Sequence, residues 1–163
     1  MSYKICWTVL ILSLGMFFII GCGTSKVPGR VPGQGNVLYD GKPLAWAIVT
    51  FTPKTNTPGT RVATAQTDVN GLFSLNTLGE KGILPGDYMI TTSKDIKDEG
   101  PQSVENWKKS QAEGGREPVP EEGVYNVVSV IPKKFTLTQS SEMEVNIPPK
   151  GKKDIKIEIQ TSF

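Results

Sequence analysis

The sequence predicts an all-β fold, an immunoglobulin-like antiparallel sandwich of about seven strands, and three observations carry that expectation. Short stretches of alternating apolar and polar residues recur along most of the chain. Turn signals separate them: Asp40-Gly41, Asp68-Val69-Asn70-Gly71 and Pro85-Gly86. Strand starts fall about 8–12 residues apart, too close for helical crossovers between parallel strands.

The first element is not part of that fold. Residues 5–20 form an apolar run behind a single charge, Lys4, and the run stops at Gly21-Cys22-Gly23. A membrane span needs about 20 apolar residues, so this run suits the core of a cleaved export signal. Its end, Ile19-Ile20-Gly21-Cys22, resembles the bacterial lipobox, in which cleavage between Gly21 and Cys22 leaves a diacylated cysteine at the mature N-terminus. Two acyl chains give stable anchoring, at about 0.8 kcal/mol per buried CH₂. An ordinary signal peptide with an incidental cysteine and an uncleaved anchor helix are the alternatives. Gly23, rather than Asp, after the cysteine resembles the sorting pattern of outer-membrane lipoproteins. The expected location is therefore the periplasmic face of the outer membrane or the cell surface.

Residues 22–35 read as a flexible tether, with Gly and Pro recurring and little to bury. Val31 stands where a first strand could already start. The sandwich domain is expected over residues 36–163. Residues 36–39 (NVLY) lead into the Asp40-Gly41 turn, a hairpin signal. Residues 47–53 place Ala47, Val49 and Phe51 on one face, with Ile48, Thr50 and Thr52 on the other. Residues 60–67, 72–77 and 86–94 follow as strands. Near the end, Val145 and Ile147 share a face, and Ile155, Ile157 and Ile159 alternate with Lys156, Glu158 and Gln160. Such alternation marks strands with one face buried.

Residues 95–123 break the rhythm. They carry eight acidic against four basic residues and no strand alternation, so they read as an acidic loop insert. Within it, residues 103–112 suit a short helix with Ser103 as N-cap and Val104 and Trp107 on one face. Trp107 either anchors this loop on the sandwich or faces a partner, and it is the candidate partner-contact residue. Because closing a longer loop costs little, the insert is expected to be separable from folding.

Several segments recur together in a known pattern: VLYDGKPLAWAIVTFTP, TDVNGLFSLNT, LPGDYMITTSK, IPKKFTLTQSSEMEVNI and GKKDIKIEI. In that order they resemble small bacterial lipoproteins carrying a carboxypeptidase regulatory-like, transthyretin-like domain. The resemblance covers residues 37–159 apart from the insert. It implies a prealbumin-like sandwich with a non-catalytic binding or structural role, and it names no ligand. Trp46 departs from the pattern, which more often has a small residue such as Gly there.

Composition bounds the chemistry. The chain has 163 residues, 18 basic and 16 acidic, and no histidine. The near-neutral balance gives no electrostatic case for nucleic acid. Absence of histidine removes Ser-His and Cys-His catalysis and the commonest zinc ligand, so no enzyme activity and no cofactor or metal are expected. Cys6 leaves with the signal and Cys22 is taken by lipid, which excludes an internal disulfide. Asp68 and Asn70 imitate the start of a calcium loop, but turn chemistry accounts for them. Glu121-Glu122 reads as a solvated charge run rather than an acid–base pair. A Lys–Asn crosslink needs an inward lysine, whereas Lys42 sits in a turn and Lys156 on the polar face. Lys133-Lys134 and Lys150 to Lys153 are candidate contacts for anionic lipid or polysaccharide, against the alternative of solvated turns. Trp46 reads as a lid on the core. Two functions remain: a monomeric, membrane-anchored module binding an envelope protein or glycan, and a purely structural envelope protein.

Overall fold

The computed structural model describes residues 28–55, 59–114, 117 and 126–161. The strands are β1 (Gly33–Tyr39), β2 (Lys42–Pro43), β3 (Ile48–Pro53), β4 (Ala63–Gln66), β5 (Leu72–Ser74) and β6 (Asn76–Thr77). They continue with β7 (Glu80–Lys81), β8 (Gly86–Ser93), β9 (Asp95–Lys97), β10 (Val127–Ser129), β11 (Glu144–Ile147) and β12 (Lys152–Ile159). Two helices are described, α1 (Ser103–Ala112) and α2 (Lys133–Thr136).

The fold is all-β. One sheet runs β12-β1-β2, with β5 also on β1; the other runs β11-β8-β3-β4-β6-β7. Their inner faces meet in one core. Val37, Ile155, Ile157 and Ile159 come from the first sheet, and Val49, Phe51, Ala63, Tyr88, Ile90 and Ile147 from the second. Phe51 of β3 meets Phe73 of β5 across the gap, with ring centroids 6.1 Å apart. The alternation read from sequence is realised here. Ala47, Val49 and Phe51 are fully buried while Ile48 is 50% exposed. Burial of these side chains supplies the folding drive, at roughly 25 cal/mol per Å² of apolar surface.

Three expectations about the framework change. The strands are not all antiparallel, because β1 and β12 pair in parallel, with Val37 opposite Ile157 and Tyr39 opposite Ile159. Alternation reports which face is buried and is silent on strand direction, which the connections decide. The stretch 72–77 is two strands rather than one. β5 joins the first sheet and β6 the second, and the fully buried Leu75 lies at the crossing. The chain thus turns a corner between sheets. The tether also ends sooner than residue 35. Arg30 pairs with Glu80, Val31 bridges to Ile83, and β1 begins at Gly33. Gly-rich composition here serves packing as much as flexibility: a Cβ on Gly35 would lie 2.0 Å from the Ile155 carbonyl oxygen. Only glycine lets β1 approach β12 so closely.

Candidate functional site

The most built polar cluster lies where the acidic insert meets the sandwich. On β8 the inward residues Tyr88, Ile90 and Thr92 are followed, two residues on, by Lys94, whose side chain is only 5% exposed. A buried ammonium requires a partner. Glu117 supplies it, with Lys94 Nζ 2.6 Å from Glu117 Oε2 and the Glu117 side chain 10% exposed. The other carboxylate oxygen, Oε1, accepts from Trp107 Nε1 and, at 3.0 Å, from Gln111 Nε2. Both oxygens are therefore committed, and the charge pair is satisfied in the sense that buried pairs require.

Helix α1 carries Trp107 and Gln111 to this point. The spacing of four residues puts them on one face. Trp107 packs edge-on against Tyr39, with ring centroids 5.2 Å apart at 77°, and is 9% exposed within the core cluster. Val104, one turn earlier, packs partly buried on the same core. At the helix end Lys42 donates to the carbonyls of Gln111 and Ala112, at 2.9 and 2.6 Å. A cation there satisfies carbonyls left open by the last turn and complements the helix dipole. The base of the insert is closed by the β9–β10 ribbon, with Val128 opposite Ile96, and by Val130 N donating to Lys94 O at 2.9 Å.

Trp107 thus anchors the insert, and its buried ring is not offered to a partner. The described part of the insert, residues 95–114 and 117, packs on the core through Trp107 and Val104, and loss of that contact is expected to cost stability. Ser103 is the first helical residue rather than the N-cap, which is Gln102. Its hydroxyl instead staples the preceding turn, accepting from Glu99 N and donating to Gly100 O. Lys94 and Glu117 were missed in the sequence. The signal was there for the lysine, since extending the β8 alternation by two residues points it inward. An inward lysine beside an insert rich in acids implies such a pair.

The other candidate positions are accounted for locally. The Asp68 carboxylate accepts from Asn70 N and Leu72 N, at 2.8 and 2.9 Å, which makes it the organiser of its turn. Trp46 has a left-handed backbone, φ 56°, which explains why a small residue suits that position. The Thr67 hydroxyl holds this turn, donating to Leu44 O at 2.7 Å and accepting from Ala47 N at 2.8 Å. The Trp46 indole N–H is shielded and has no partner among the described residues. Lys133 and Lys134 lie on α2, where Lys134 Nζ sits 4.7 Å from the Phe135 ring centroid. Lys150 and Lys153 are exposed on and after the turn entering β12.

Burial shifts the nearby phenols. Desolvation pushes Tyr39 above its usual 10.0, opposed by a hydrogen bond with Thr161 and reinforced by the Asp40 charge. Tyr88 is raised by burial as well, while its hydroxyl donates to Leu84 O at 2.9 Å. Asp40 is lowered below 3.8, chiefly by hydrogen bonds from Thr161.

Gly21, Cys22, Glu121 and Glu122 lie outside the described residues. Among the described residues no three His, Cys, Asp or Glu side chains gather to hold a metal, and no helix is long and apolar enough to cross a membrane. No family model, curated protein or solved structure matches the chain.

Proposed function

We propose that this protein is an exported lipoprotein of the bacterial cell envelope, anchored through acylated Cys22. Its non-catalytic domain is of the carboxypeptidase regulatory-like, prealbumin-like type and holds protein or glycan partners near the membrane. The observation that carries the reading is the apolar run ending in Ile19-Ile20-Gly21-Cys22, eight residues before Arg30, whose ion pair with Glu80 is the first described contact with the β-fold. Covalent geometry limits the separation of Cys22 and Arg30 to about 30 Å, so the domain would work close to the bilayer. The sandwich class draws support from Tyr88, whose hydroxyl reaches back to the backbone four residues upstream. That is the geometry of a tyrosine corner in two-sheet folds.

A purely structural role is the second reading. The burial of Trp107 favours it, because the large aromatic of the insert is spent on packing. Mass spectrometry of the membrane fraction tests the anchor: a mature chain beginning at Cys22 with added acyl mass is expected. Unmodified protein in the soluble fraction, or retention of residues 1–21, refutes it. Pull-down of the acylated protein from membrane extract separates the two roles, since a binding module retains a defined partner and a structural protein does not.

A further inference from the structure

The two sides of the sandwich are not equivalent. On one side the sheets are tied together, by the crossing at Leu75 and by the Val31–Ile83 bridge. On the other side lie β11 and β12, each paired with only one strand among the described residues. Edge strands present unpaired backbone groups, and proteins blunt them with charged side chains, lysine above all, with proline, bulges, inward charges or a covering element. β11 is short and followed by Pro148 and Pro149. β12 is twice as long, with a register shift opposite Gly33 and Gly35 near its start and with Lys152, Lys153, Lys156 and Glu158 along it, so only a strand that sets opposite charges against these can pair there. From Asp154 onward it has no proline, and its inward residues are Ile155, Ile157 and Ile159, all buried.

The backbone direction of this edge follows from one bond. Ile159 O accepts from Asp40 N on the β1 side. Strand alternation then turns the peptide groups of Ile157 toward β1 and those of Lys156 and Glu158 toward the open side. The outward side chains of this stretch are Asp154, Lys156, Glu158 and Gln160, and Lys156 and Glu158 form an exposed ion pair within the strand, at 2.5 Å.

We propose that the open edge of β12 pairs antiparallel with β12 of a second copy of this chain, about a two-fold axis at Ile157. An isologous contact must be self-complementary. With the axis at Ile157, Lys156 stands opposite the partner's Glu158 and Glu158 opposite the partner's Lys156, while Asp154 faces the partner's Gln160. Moving the axis to Lys156 sets lysine against lysine and Asp154 against the partner's Glu158. Moving it to Glu158 sets glutamate against glutamate. An axis at Ile155 runs the pairing into the register shift. Backbone parity requires only that the axis pass through a residue, and the charge pattern then selects Ile157. The four-stranded sheets of the two copies would join into one continuous sheet of eight strands, closed by the two-fold axis. This replaces the expectation of a monomer, which rested on strand pattern without knowledge of which strand lies at the edge. It does not depend on the lipid anchor.

The test is sedimentation analysis of the full chain in mild detergent, with Lys156→Glu, Glu158→Lys and the double exchange. The wild type is expected to dimerise. Each single reversal creates two like-charge pairs per dimer and should weaken association at least about tenfold. Mixing the two single variants should restore a dimer, as should the double exchange, because both arrangements return opposite charges to facing positions. Circular dichroism should show all variants folded, since both residues are exposed. A monomeric wild type overturns the proposal. So does a dimer indifferent to the reversals, or one that mixing and the double exchange fail to restore.

Discussion

Replacing Trp107 by Ala removes the side chain that joins the insert to the sandwich. The ring is 9% exposed, packs edge-on against Tyr39, and donates from Nε1 to Glu117. Truncating a buried Trp costs about 3–5 kcal/mol. A domain of this size has roughly 5–15 kcal/mol of total stability, so a large share would be lost. At about 4 °C per kcal/mol the melting temperature should fall by roughly 12–20 °C. Trp107→Phe is the informative companion. It keeps a ring against Tyr39 and removes the donor to a charged acceptor, a change of about 1.5–3 kcal/mol. Urea unfolding followed by circular dichroism measures both. The expected order is wild type, then Phe, then Ala. An Ala variant within about 0.5 kcal/mol of wild type, the range of ordinary surface substitutions, would refute the reasoning and return the insert to a separable loop.

Three further outcomes follow from the geometry. Glu117→Gln keeps an acceptor for Trp107 and Gln111 but leaves the buried Lys94 charge unpaired, and should lower unfolding free energy by about 3–5 kcal/mol in urea titrations. Gly35→Ala drives a methyl into the Ile155 carbonyl and should cost at least about 1–3 kcal/mol, read as a lower urea midpoint. Asp40 accepts from Thr161 N and Oγ1, and its depressed ionisation adds stability above pH 3.8 that is lost as pH falls through the lower folded value. Acid titration of wild type against Asp40→Asn should show this small stabilisation disappear in the variant, as befits an exposed group.

Much of the sandwich was legible because burial imposes a period of two on any half-covered strand. Ala47, Val49 and Phe51 announce their face, and so do Ile155, Ile157 and Ile159. What alternation does not encode is direction and sheet membership. The parallel pairing of β1 with β12 and the split of residues 72–77 between sheets depend on how connections close in space. The site was less legible, for a related reason. Lys94 stands on an inward parity, yet its charge argues for the surface, and only the contact with Glu117, twenty-three residues away, reconciles the two. Trp107 was readable as an anchor or as a contact. The ring of Tyr39 decides between them, and that ring comes from a strand far away in sequence.

The parallel pairing of the first and last long strands has a mechanical consequence. A pull that enters at the start of β1 and leaves at the end of β12 acts along both strands in opposite senses. The ladder between them is then loaded in shear, so its bonds bear the force together rather than opening one after another. The Val31–Ile83 bridge and the Arg30–Glu80 pair would yield before that ladder is reached. A domain held by its N-terminal end and drawn on from its C-terminal end would give slightly at first, then resist.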